Sequence, residues 1–517
     1  MAEPNSSFRL VGNSAWNAAA FSLGVGLNLL ILPFVLSRLG LAAFGVAGLV
    51  TACIAPAQAF SSSLALSTVQ QLAQRLAPDE RAHARRVFAA ALLLALGMGG
   101  LIATILCLAG PPLARLVFHL GGKAADDLEL AFAFCAGGWL CQCLAAVFLA
   151  LFTARQDYFR IASINILSTM IMTAAVLVFI PFWPQASTYL GCQAFGFAVS
   201  LLAAFAVSRR VIGEGLARPA FHRGPLGDLV KLGSWQLAAQ GGGLIAAQAD
   251  RYLLGALLAP QFVGFYTVAQ RLEEAVYIGI LKIGEILFPF FSAVQKESSA
   301  RKADLLFRSS WVLNVLAASV LGALITVAGP LLHLWTGAEV AAEAQRVLVV
   351  LSIAGMLGCT TNAFAFYLLA SGRSRSNALI SFMTAGFTLA TSAVALPYFG
   401  WQAAGWSACI GMVAQIVTTT LLLRRGFGHT GMWSQLAHFV WLPLATGIVT
   451  AFVLRHFIGG RQFDQSPHWW YVGGLYCLAA GIIFIVVVAV SRVGPHGAAC
   501  WRDLHVIASR FLPVKAT

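Results

Sequence analysis

Runs of about 20 apolar residues, the length an α-helix needs to cross the hydrocarbon core of a bilayer, recur along almost all of the 517-residue chain. About fourteen can be counted between residues 13 and 490. A soluble chain of this length would be about 25% charged. Here only 10% of residues are charged and 59% are hydrophobic, which excludes both a string of soluble domains and a disordered chain. The fold class that follows is an all-α polytopic membrane protein.

The charges support the count. Cytoplasmic loops of membrane proteins collect Lys and Arg. With a cytoplasmic N-terminus, 24 of the 33 Lys and Arg fall on the cytoplasmic side, six on the other, and three (Arg251, Arg271 and Lys282) within spans. That imbalance implies an even number of spans with both termini cytoplasmic, and it accounts for the net charge of +14. Because the charge is dispersed through an apolar chain, no nucleic-acid partner is expected. The first apolar stretch carries Asn17 and Asn28 and lacks the basic start and compact core of a signal peptide, so it reads as the first span. The cysteines lie mostly in spans, without ligand spacing to a histidine, and read as small buried hydrophobes; no metal or cofactor is expected.

Landmarks recur at a nearly constant offset. AGPPLARL from Ala109 returns as AGPLLHLW from Ala328, and Gly45 in SRLGLAAFGVAGLV corresponds to Gly264 in GALLAPQFVGFYTV, both 219 residues later. LFTAR ending at Arg155 corresponds to LASGR ending at Arg373. The repeat predicts two six-helix lobes, 1–210 and 211–425, two additional transmembrane helices in 426–490 and a cytoplasmic tail at 491–517. An even number of spans per repeat relates the lobes by an axis along the membrane normal and leaves a central cleft between them, the architecture of alternating access. In the tail, Trp501, Leu504, Ile507 and Phe511 have the spacing of an interfacial helix.

Ionised residues at mid-membrane depth are costly and seldom face lipid. The seventh and eighth spans hold Asp250, Arg251, Arg271, Glu273, Glu274, Lys282 and Glu285. With 100° per residue, Arg271, Glu274, Lys282 and Glu285 share one face of the eighth span and Glu273 lies off it. Arg271 with Glu274, and Lys282 with Glu285, are opposite charges three apart, within reach of one another. Gln236, Gln240, Asp250 and Arg251 share a face of the seventh span, as Asn13, Asn17 and Asn28 do on the first. Two roles fit these faces: lining a hydrated path for a polar substrate, or pairing and hydrogen bonding between helices.

The stretches ADRYLLGALLAPQFVGFYTVAQRL (249–272), ILFPFFSAV (286–294) and LSRLGLAAFGVAGLV (36–50) resemble motifs of the bacterial polysaccharide flippases, the O-antigen and exopolysaccharide branch of the multidrug/oligosaccharidyl-lipid/polysaccharide exporter superfamily. The resemblance implies transfer of an undecaprenyl-pyrophosphate-linked oligosaccharide from the inner to the outer leaflet of the bacterial cytoplasmic membrane. Its expected partners are that lipid-linked substrate, membrane lipids, and a polysaccharide polymerase with glycosyltransferases. On this reading Arg271, Lys282 and Arg251 meet the diphosphate, Glu274, Glu285 and Asp250 meet sugar hydroxyls or carry a coupling ion, with Asp250 and Glu274 the candidates for H+ or Na+, and Gln236, Gln240, Asn17 and Asn28 belong to the substrate-binding face. The last two spans resemble the extra pair of lipid II flippases, but the first span has Asn where that branch carries Arg. Drug antiporters of the superfamily often carry an acidic residue on that span, which is also missing. A membrane glycan polymerase or ligase would need catalytic carboxylates on a sizeable outer loop, and no such loop is present. The chain is therefore expected not to be an enzyme.

Overall fold

The computed structural model describes residues 6–73, 81–113, 116, 122–212, 219–285, 287–427, 432–459, 468–493 and 497. The tail helix expected after residue 499 lies outside them. The described residues form helices α1 (Ser6–Leu39), α2 (Leu41–Ala73), α3 (Arg81–Pro112), α4 (Lys123–Ala154), α5 (Tyr158–Phe179), α6 (Ala186–Ile212), α7 (Arg223–Leu257) and α8 (Pro260–Gly284). These are followed by α9 (Leu287–Ala293), α10 (Ser299–Thr336), α11 (Ala338–Ala370), α12 (Ser374–Phe399), α13 (Ala403–Phe427), α14 (Met432–Leu436), α15 (Leu442–Gly459) and α16 (Trp469–Val493).

Twelve helical segments among the described residues are long and apolar enough to cross a membrane. The other two of the fourteen expected spans are α7 and α8. At 35 and 25 residues they have the length, but the Gln and Gly residues of α7 and the charges of α8 leave both short of the same apolarity. The two spans that the sequence marks by their ionised residues are thus the two that composition alone does not recognise as membrane helices.

The chain divides into two compact units, 1–264 and 265–517, with the division inside α8. Helix α7 packs along α2 within the first unit. In that unit α2 and α4 are central: α4 lies along α3 and α6, and α1 along α5. The start of α6 is fixed by Asp127 of α4, whose carboxylate accepts from the backbone N–H of Ala186 and Ser187 at 3.0 and 3.1 Å. Such a carboxylate satisfies orphan donors and complements the positive end of the helix.

One crossing in the first unit is reciprocal. A Cβ added to Gly45 would collide with the carbonyl oxygen of Pro260, and one added to Gly264 would lie 2.5 Å from the carbonyl oxygen of Leu41. Leu41 and Gly45 on α2 are the repeat counterparts of Pro260 and Gly264 on α8. The pattern, in which i meets j′ and j meets i′, is the one a local two-fold axis generates. Only glycine lets the backbones approach this closely.

In the second unit α10 and α11 are central, with α13 along α11 and α15 and α16 along α10. The C-terminal helices dock through small residues and bonds to backbone oxygens. Gly447 of α15 lies against Ala318, Thr326 Oγ1 is 3.4 Å from the Ala451 carbonyl, and Tyr476 Oη donates to Val320 at 3.2 Å. Between α14 and α15 the helix widens to a π-turn at Ala437–Trp441. Asn314 of α10 donates through Nδ2 to the Phe439 carbonyl there at 3.1 Å, a side-chain bond at a point where the regular ladder is interrupted.

Candidate functional site

Helix α8 runs into the second unit with two chemically distinct sides. One is apolar and buried, with Phe265, Val268, Ala269, Leu272 and Ile280 against the unit's interior. The other carries the predicted stripe: Arg271 is partly exposed, and Glu274, Lys282 and Glu285 are exposed on the unit's surface. Lys282 Nζ lies 2.7 Å from Glu285 Oε1, so that i,i+3 pair forms. Among the described residues no ion pair joins Arg271 to Glu274, and Arg271 has neither an ion pair nor a hydrogen bond. The guanidinium of Arg271 keeps its donors available, whereas the Lys282 ammonium already has a carboxylate partner. The two cations stand 11 residues apart, about 16 Å along the axis, too far to grip one diphosphate together.

Glu273, which sequence reasoning left without a role, points to the opposite side. Its carboxylate packs against Gly355 of α11, at a distance only a residue without Cβ permits. One turn along, Tyr277 Oη donates to Asn362 Oδ1 of α11 at 3.3 Å, and the Asn362 Nδ2 atom is buried without a partner among the described residues. The polar contacts continue on α11 and beyond: Gln415 of α13 donates to Thr361 Oγ1, and Thr384 of α12 donates to Gln415 Oε1 at 3.3 Å. The available signal was the departure of Glu273 from the stripe, with Tyr277 one turn away on the same face.

The other predicted site residues lie in the first unit. Asp250 and Arg251 are both buried; Arg251 Nη1 donates to Gln248 Oε1 at 2.9 Å, and the neighbouring Tyr252 Oη donates to the Ala52 carbonyl of α2 at 2.7 Å. This end of α7 is therefore anchored into its unit. Asn28 bonds back to the Gly24 carbonyl at 2.8 Å within α1. Asn17, Gln236 and Gln240 sit on described helices, but their side chains lie outside the described residues.

With this arrangement in view, comparison with solved structures identifies the fold. The chain is similar to the lipid II flippase MurJ in an inward closed conformation, with a TM-score of 0.70 at 9% identity, covering 96% of this chain and 100% of that one. It is also similar to an inward-facing multidrug resistance MATE family transporter of the MOP superfamily, with a TM-score of 0.64 at 15% identity, over 78% of this chain and 94% of that one. A MOP superfamily transporter from Pyrococcus furiosus gives a TM-score of 0.58 at 16% identity, over 80% and 95% of the respective chains. Among curated proteins, none matches the sequence significantly. The fold is that of the MOP-type transporters, a multi-pass membrane architecture. Residues 10–295 match the family described as polysaccharide biosynthesis protein, more than half of the chain, and the protein belongs to that family.

Proposed function

We propose that this membrane transporter is a flippase that carries an undecaprenyl-pyrophosphate-linked oligosaccharide from the inner to the outer leaflet of the bacterial cytoplasmic membrane by alternating access, for surface polysaccharide synthesis. The observation that carries the proposal is the exposed charged face of α8, where Arg271 offers a guanidinium with no internal partner among the described residues. A charged face on a membrane helix is tolerable where water or a polar substrate meets it. A guanidinium matches a phosphate in planar, two-point geometry, and such charge-assisted bonds are strong where water is scarce. Arg271 takes the diphosphate first in this reading. Lys282, about 16 Å along the helix, takes it next by exchanging its Glu285 partner for phosphate oxygens. Glu274 and Glu285 accept from sugar hydroxyls, and Asp250 or Glu274 binds the coupling H+ or Na+.

The family assignment favours a glycan substrate over a drug, and the fold shared with MurJ keeps lipid II as the second reading. The test is complementation of a deletion strain with Arg271→Ala and with Lys282→Ala, each checked for normal protein level. Surface polysaccharide is expected to fall about tenfold or more in Arg271→Ala, given the loss of a charge-assisted contact, and less in Lys282→Ala. Full restoration by both variants would end the proposal. Restoration of peptidoglycan synthesis in a strain lacking its own lipid II flippase, with no effect on polysaccharide, would select the second reading.

A further inference from the structure

We infer that the second unit holds a binding site for an anionic diacyl phospholipid, separate from the charged face of α8. A cavity of about 310 Å³ opens where α11 and α13 begin and α15 ends, and Arg346 and Arg455 both line it. Among the described residues no Asp or Glu lines it, and Gln402 supplies the one side-chain amide. Two guanidiniums lining a common space repel each other. An anion between them reverses the sign of that interaction.

The two arginines are held differently. Arg455 is anchored by a bond from Nη1 to the Ile325 carbonyl of α10 at 2.9 Å. Arg346 is exposed and makes no hydrogen bond or ion pair among the described residues, although Glu343 precedes it by one turn. One donor group is therefore fixed and the other is free to close on a ligand.

The other described lining residues are mainly apolar, Ile353, Trp406 and Phe452 among them. They offer little for recognising sugar hydroxyls, which require several placed hydrogen-bonding groups. This argues for a small phosphate head rather than the glycan-bearing cargo. A path for acyl chains leads away from the cavity. Trp406, Ile410, Val413, Val417 and Leu421 are exposed on α13 at spacings of three and four residues, forming one apolar face that begins at the cavity. Cationic head site and apolar track together fit an amphiphile whose phosphate diester sits between the arginines while its chains lie along α13.

Native mass spectrometry of the purified full chain tests this, with phosphatidylglycerol, phosphatidylcholine and undecaprenyl phosphate as probes. The protein is expected to retain phosphatidylglycerol over phosphatidylcholine. Arg346→Gln together with Arg455→Gln should weaken phosphatidylglycerol binding by about tenfold or more. Arg346→Gln alone removes no internal bond, so it is expected to fold normally and to weaken binding several-fold. Equal retention of the two phospholipids would overturn the site, as would unchanged phosphatidylglycerol affinity in Arg346→Gln. Displacement of phosphatidylglycerol by a lower concentration of undecaprenyl phosphate would overturn the choice of a bulk lipid as its occupant.

Discussion

Glycine permits two close approaches along α8, and they differ in what stands opposite. At the start of the helix, Gly45 and Gly264 bring backbone against backbone, with carbonyl oxygens of Pro260 and Leu41 as the facing atoms. Farther along, Gly355 of α11 makes room for the carboxylate at the end of the Glu273 side chain. Backbone in a packed helix crossing has nowhere to go, whereas a glutamate tip can swing to another rotamer. The same residue type therefore marks a rigid crossing in one place and an adjustable polar contact in the other.

That contrast can be broken or sharpened by substitution, read as thermal stability of the purified protein in detergent. Gly45→Ala should have the largest effect, a loss of about 3 kcal/mol, because the added methyl meets a carbonyl that cannot retreat. If the crossing is reciprocal, Gly264→Ala should cost a similar amount; wild-type stability in either variant would show that the helices can separate there without penalty. Tyr277→Phe comes next. It removes the bond to Asn362 and leaves the oxygen of that side chain, whose Nδ2 has no partner among the described residues, unpaired as well, for a loss of about 1 kcal/mol. No change in stability would mean that the Tyr277–Asn362 contact adds nothing. Gly355→Ala should have the smallest effect, within about 1 kcal/mol of wild type, since alanine's better helix propensity offsets the displacement of the Glu273 carboxylate. A loss as large as that of Gly45→Ala would show that Glu273 is held as firmly as backbone, and the distinction between the two contacts would fail.

Much of the fold was legible in the sequence because membrane solvent imposes a simple code. Backbone groups in hydrocarbon must be satisfied within the segment, so apolar length translates directly into helices. The code faltered at α7 and α8, where polar side chains lower the apolarity; there the helical spacing of Arg271, Glu274, Lys282 and Glu285 carried the reading instead. Which of these charges pair was not legible. Both i,i+3 combinations have the spacing, yet Lys282 meets Glu285 while Arg271 and Glu274 stay apart. Asp250 and Arg251, near a helix end, would be free to reach water on sequence grounds, but both are buried in the first unit.

The amino-acid order by itself determined the membrane class, the repeat offset that pairs Gly45 with Gly264, and the polar face of α8, since each is a property of spacing along one chain. Only the tertiary structure decided that the paired glycines touch, that Glu273 turns inward to α11, and that Arg346 and Arg455, 109 residues apart in sequence, line one cavity. These depend on which helices become neighbours. Neighbours in a bundle are selected by packing between surfaces distant in sequence, and no local periodicity encodes that choice.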